Sequence, residues 1–225
     1  MVLKIDSEVR ERFSDLKVLS EVMRGVHVKS EDPDLEAFKE EIISFVKASY
    51  TKESLRDVPI FRAYRDFFWG IGIDPTKIRP ASEALIRRIL QGKPIPRINT
   101  LVDAYNLASI KRCIALAAFD EEKISGDITM RFAIEGEEFH GIGMKDVKIL
   151  NGGEIVISDE EQLIAVYPYR DSDGTKVTKE TKNLLILACG VPGIGDDILT
   201  GAMDTAIEYI NRFCGGEVPK AQQSD

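Results

Sequence analysis

The feature that most narrows the fold is a change of hydrophobic rhythm partway along the chain. From Asp34 to Lys111 apolar residues recur at helical spacing; from Ile128 to Cys189 they come as short runs divided by glycines. In the first stretch Leu35, Phe38, Ile42, Phe45 and Val46 share one helical face. Asp32 is a capping acid there, and Pro33 sits at the first turn, where its missing N–H costs nothing. The spacing predicts helices over 34–50, 60–69 and 82–90, and a fourth from Asn99 or Thr100 to about Lys111. Short strands are expected over 2–5, within 16–28, and over 128–133, 138–142, 154–157 and 163–169, with Gly126, Gly136, Asn151-Gly152-Gly153 and Asp173-Gly174 at the turns. The continuous apolar run 184–189 has the length of a buried strand. A helix over 196–213 follows, with Ile198, Met203, Ile207, Ile210 and Phe213 on one side and Gly215-Gly216 at its end. Helices first, strands next and a helix last is the order of an α+β fold.

Charge and cysteine usage bound the chemistry. The 225 residues carry a net charge of −8, which opposes nonspecific nucleic-acid binding by the molecule as a whole. Between Pro59 and Arg112, however, ten Lys or Arg face four acids, a net of +6, which leaves −14 on the rest. Two readings of that segment stand: a surface for an anionic ligand, or a solvated helix face paired with acids elsewhere. Cys113, Cys189 and Cys214 lie far apart without a CxxC, so each is read as a buried reduced thiol. His27 and His140 give no metal-ligand spacing and no evident base for a cysteine nucleophile, so neither a metal nor a cofactor is expected. No apolar run approaches the roughly 20 residues of a membrane span, and Met1–Asp6 has no signal-peptide character; a cytoplasmic protein without membrane contact is expected.

Three segments could carry chemistry. Gly190-x-x-Gly193-x-Gly195 lies between a strand and a helix and reads either as a plain turn or as a phosphate cradle, without a Walker or dinucleotide pattern. In 99–106, Asp103 and Asn106 share a helix face, which suits a structural polar network as well as ligand contact. The segment 167–178 (Tyr-Pro-Tyr-Arg-Asp-Ser-Asp-Gly-Thr-Lys-Val-Thr) is the most polar stretch at the end of an apolar strand. There Arg170 can clamp a carboxylate or phosphate, and Asp171 and Asp173 can orient or deprotonate water; the alternative is a solvated hairpin turn.

Several short motifs in this half of the chain occur in a familiar order. Leu101-Val-Asp-Ala-Tyr-Asn106, Ala118-Phe-Asp120 with Ile124 and Gly126, Arg131 with Glu135-Gly-Glu137, Val156-Ile-x-Asp159 and Glu180-Thr-x-Asn183 resemble, in order and spacing, the B3/B4 editing domain of the phenylalanyl-tRNA synthetase β chain. The basic helices over 61–90 resemble the N-terminal extension of stand-alone members. The resemblance implies a B3/B4-like mixed fold with N-terminal helices, antiparallel-rich sheets and a long C-terminal helix. It also implies one domain over 1–218: a strand and helix part at 1–58, a basic helical extension at 59–98, the core at 99–190 and the C-terminal helix at 191–216, with a flexible tail over 219–225. The synthetase domain hydrolyses wrongly attached amino acids, mainly tyrosine, because a binding pocket alone discriminates near-isosteres weakly. Here Ala117 stands where the synthetase has His, and Tyr167–Asp173 replace its glycine-rich strand end, with Asp173 opposite its Glu.

The implied activity is a trans-acting deacylase of a mischarged aminoacyl-tRNA or related aminoacyl ester. Asp171 and Asp173 are the candidate catalytic groups, and Asn106, Arg131, Arg170 and Ser172 the substrate-binding set. Arg62, Arg65, Arg79 and Arg87 would meet the tRNA acceptor end. The competing expectation is a non-catalytic amino-acid- or RNA-binding module on the same scaffold.

Overall fold

The computed structural model describes residues 2–219. In chain order its strands and helices are β1 (Leu3–Ile5), α1 (Ser7–Arg12), β2 (Val18–Arg24), α2 (Pro33–Ser49), α3 (Pro59–Gly70), α4 (Ala81–Leu90), α5 (Thr100–Arg112), β3 (Ala115–Asp120) and β4 (Ile128–Phe132). They continue with β5 (Glu138–Phe139), β6 (Lys148–Ile149), β7 (Ile155–Ser158), β8 (Leu163–Val166), β9 (Arg170–Asp171), β10 (Asn183–Cys189) and α6 (Asp196–Cys214). This is an α+β architecture with the C-terminal helix expected from the sequence.

The helices form where capping and periodicity agree. The Asp32 carboxylate accepts from Asp34 N and Leu35 N at 3.0 and 3.2 Å, and α2 then buries Leu35, Phe38, Ile42 and Val46 on one face. Asn99 caps α5 through Val102 N at 2.9 Å. That helix is buried nearly all round, with Leu101, Ala104, Leu107, Ala108 and Ile110 packed inside together with the polar Thr100, Asp103 and Ser109, so it runs through the core and not along its surface. It ends at Cys113, whose φ of 61° is left-handed. Asp103, on the same helix, is 2% exposed. Its carboxylate takes Lys39 Nζ at 2.7 Å and Ile98 N at 3.0 Å, so it belongs to a structural network.

Two main sheets pack below these helices. One has the order β1-β4-β7-β8-β9, with β1 parallel to β4 and every other pair antiparallel; the other is the antiparallel β2-β10-β3; β5 and β6 form a separate hairpin. Strand β10 lies between two partners, so the unbroken Leu184–Cys189 run is buried on both faces. At Gly190 a Cβ would come within 2.4 Å of Lys17 O and 2.7 Å of a Leu199 methyl, so close packing, not an anion, explains this glycine.

Some boundaries differ from the sequence expectation. The strand expected over 163–169 stops at Val166, because the Tyr167-Pro168 turn sends the chain back as β9. Strand β3 has no alternation to reveal it, since all six of its residues are buried. Of the expected flexible tail, residues 220–225 lie outside the described residues.

The Lys39–Asp103 pair generates a test. Lys39→Met strands a buried carboxylate and should cost about 3–5 kcal/mol in urea unfolding, while Lys39→Met with Asp103→Leu should recover a large part of that loss. Equal destabilisation by the single and double variants would contradict the network's role.

Candidate functional site

A cavity of about 70 Å³ lies where the two main sheets face each other. It exists because the facing side chains are short. Ala115 and Ala117 of β3 and Ala165 of β8 line it, and cross-strand pairing puts Leu187 beside Ala117 and Cys189 beside Ala115. Phe119 and Ile157 complete the apolar wall. Strand pairing also delivers a carboxylate. Asp171 pairs with Ala165 and so shares its inward face, while Arg170 pairs with Val166 and points outward, exposed.

The Asp171 carboxylate makes no hydrogen bond or ion pair with any described residue. Burial pushes its pKa up to about 7, and the Arg170 charge opposes that rise only in part. Cys189 is lifted well above its usual range by burial and then by the Asp171 charge, so its thiol stays neutral and poorly nucleophilic. Two hydroxyls brace the cavity. Tyr167 Oη donates to Gly190 O, and Tyr64 Oη donates to Cys189 O at 2.5 Å while accepting from Ala115 N at 3.0 Å.

Beside the cavity runs an open basic cleft of about 550 Å³ along α4, lined by Arg79, Arg87, Arg88, Lys93 and, from α5, Asn106. Ala81, at the start of α4, lines both cleft and cavity, so the two adjoin. Arg79 and Lys93 are exposed and make no ion pair among the described residues. Arg87 is tethered to buried Glu83 at 2.8 Å, and Arg88 Nε donates to Pro94 O. Asn106 is half-buried, and its amide has no hydrogen bond among the described residues.

The residues singled out in the sequence therefore separate. Of the candidate catalytic and binding residues, Asp171 alone lines the cavity, and Asn106, Arg79 and Arg87 line the cleft. Arg65 pairs with Glu83 at 3.1 Å and caps the Leu55 and Arg56 carbonyls, and Arg62 pairs with Asp57 at 3.1 Å; neither lines the cleft. Arg131 grips Glu137 with two bonds of 2.7 and 2.9 Å and donates to Ser158 Oγ and Phe132 O, in a polar depression away from the cavity. Asp173 is held by Lys176 Nζ at 2.8 Å from each oxygen, which keeps its pKa below the usual carboxylate range. Ser172 is buried, its hydroxyl accepting from Gly174 N at 3.2 Å, and Arg170 donates to Ile142 O at 3.1 Å. Alternation along β9 separates Asp171 from Arg170, while Asp173, past the strand, is drawn aside by Lys176. Of the cavity's walls, Ala117 and Tyr167 lie at positions marked by the family resemblance, while Ala115, Ala165, Leu187 and Cys189 carry no polar signal.

The raised Asp171 pKa fixes the sign of a pH effect. The folded state binds this proton more tightly than the unfolded chain, whose Asp titrates near ~3.9. The resulting stability is present in full below about 3.9 and is lost as pH rises through about 7. Asp171→Asn should accordingly melt higher than the wild type at pH 8, with the gap closing towards pH 4. A gap that is constant across this range in thermal scans would contradict the assignment.

Comparison with known proteins agrees with this architecture. The model of the B3/4 domain family matches residues 63–215. The phenylalanine–tRNA ligase beta subunit of Fusobacterium nucleatum is 31% identical over 119 residues, covering 53% of this chain and 15% of that protein. That of Vibrio vulnificus is 22% identical over 97% of this chain and 32% of its own length. The chain thus spans a minor part of these relatives. The crystal structure of an N-terminal fragment of the phenylalanyl-tRNA synthetase beta subunit from Pyrococcus horikoshii superposes with a TM-score of 0.51 at 14% identity, over 96% of this chain and 50% of that one. No helix among the described residues is long and apolar enough to cross a membrane. With the family model covering most of the chain, the protein belongs to the B3/4 domain family, whose fold it shares with the synthetase beta subunit.

Proposed function

We propose that the cavity and cleft form one hydrolytic site for an aminoacyl ester, with a mischarged aminoacyl-tRNA as the substrate class. The observation that carries this is the adjacency at Ala81 of a basic cleft and an apolar cavity holding one unpaired carboxylate. A tRNA acceptor end presents phosphates next to an acyl group, and Arg79, Lys93 and Arg87 offer cations where those phosphates would run. Asn106 supplies an amide for a base or ribose edge. The acyl group enters between the sheets.

Ester hydrolysis then needs a positioned water and a place for its proton. A carboxylate with a pKa near 7 is partly ionised at neutral pH, so Asp171 can accept that proton as the water attacks the carbonyl carbon. The tetrahedral intermediate expels the ribose oxygen, which takes the proton back from Asp171 as it leaves and so restores the carboxylate. The vicinal ribose hydroxyl of the substrate assists, so no stronger base is required. Asp173, neutralised by Lys176, takes no part in this scheme.

A non-catalytic amino-acid-binding module is the second reading. It is favoured by the cavity wall, which beyond Asp171 carries no ionised side chain to stabilise an oxyanion. Incubation with a panel of mischarged tRNAs separates the two. Hydrolysis should be accelerated for at least one member, and Asp171→Asn should slow it by about 10²–10⁴-fold. Arg79→Glu and Lys93→Glu should raise KM and lower the salt dependence of binding by about one phosphate contact each. No acceleration across the panel, with saturable stabilisation by a free amino acid, would favour the binding module.

A further inference from the structure

The cavity's size points to a substrate class for the proposed site. Resting on the reading of the cavity as the acyl pocket, we propose that it admits a small aliphatic acyl group of alanyl size, and that Ala117 and Ala165 set this limit. An apolar protein cavity of about 150 Å³ takes one benzene ring, so a cavity of about 70 Å³ is too small for an aromatic side chain. An alanyl group carries a single methyl beyond its backbone atoms, whereas a phenylalanyl or tyrosyl group adds a whole ring.

The walls are held against expansion. Ala117 is locked opposite Leu187 by β3–β10 pairing, and Ala165 opposite Ile157 and Asp171 by pairing on both sides of β8. Phe119 and Ile157, both fully buried, close the space behind them. The Tyr167–Gly190 bond ties the two sheets together at the end of β10, and Tyr64 ties α3 to β10 and β3 there. Charge narrows the class further. An acidic side chain would meet the Asp171 carboxylate at close range, and the apolar walls offer a polar side chain little hydrogen bonding. The α-ammonium of a small aminoacyl group, by contrast, is compatible with that carboxylate.

Binding and turnover are measured separately to test this. Wild-type protein is titrated with non-hydrolysable 3′-aminoacylamino-adenosines carrying alanyl, valyl, phenylalanyl or tyrosyl groups, and ester loss is followed on the corresponding aminoacyl-tRNAs. The alanyl analogue should bind at least tenfold more tightly than the phenylalanyl and tyrosyl ones. Ala165→Gly should narrow that gap by widening the cavity, and Ala117→Leu should abolish alanyl binding. Because Ala117→Leu could fail to fold, the wild-type ranking and Ala165→Gly carry the decision. Aromatic analogues that bind as tightly as the alanyl one, or no binding by any analogue, overturns the size limit. Alanyl binding without ester loss upholds the size limit and refutes the hydrolase; turnover of tyrosyl-tRNA with no alanyl preference does the reverse.

Discussion

The end of strand β10 is the constraint on which the rest of the structure depends. Its last carbonyl and the next one along are taken by two buried phenols: Cys189 O by Tyr64 from α3, and Gly190 O by Tyr167 from the turn after β8. Tyr64 also accepts from Ala115 N, so one hydroxyl joins a helix to two neighbouring strands. These bonds lie out of water, where a hydrogen bond is strong and its loss leaves a buried group unsatisfied. They pin the helical layer and both sheets to the rim of a single cavity. Between those anchor points Ala115, Ala117 and Ala165 line the cavity and leave its space open.

The family motifs serve this scaffold. Asp120 accepts from Thr181 Oγ1 at 2.8 Å, which joins the Ala-Phe-Asp and Glu-Thr-x-Asn segments across 61 residues of chain. Arg131 meets Glu137, and Asp159 caps a turn by accepting from Glu161 N and Gln162 N. Asp103 meets Lys39. Asp103, Asp120, Arg131 and Asp159 of these motifs thus find partners within the protein, which is how a buried polar group is tolerated. Asp171, Asn106, Arg79 and Lys93, whose side chains make no hydrogen bond among the described residues, line the cavity and cleft instead.

That division explains how much could be read from the sequence. Helices with caps and a single apolar face, such as α2, were legible because periodicity and capping are local. The α+β order and the family likeness were legible for the same reason. Strand β3, buried throughout, and the reversal at Tyr167-Pro168 were not, since both depend on partners distant in sequence. The polar run 170–173 reaches the cavity at one residue, Asp171. Which of its residues faces inward follows from the pairing of Asp171 with Ala165, and a sequence alone does not carry that register. The joining of cavity to cleft at Ala81 is tertiary in the same sense.

The central claim is that cavity and cleft are two halves of one site. A crystal structure of the protein soaked with a non-hydrolysable alanyl-amide analogue of an acceptor-end trinucleotide tests it most directly. The account predicts the alanyl group between Ala117, Ala165 and Asp171, with the phosphates along Arg79 and Lys93. An acyl group seated outside the cavity, or phosphates running away from α4, would contradict it.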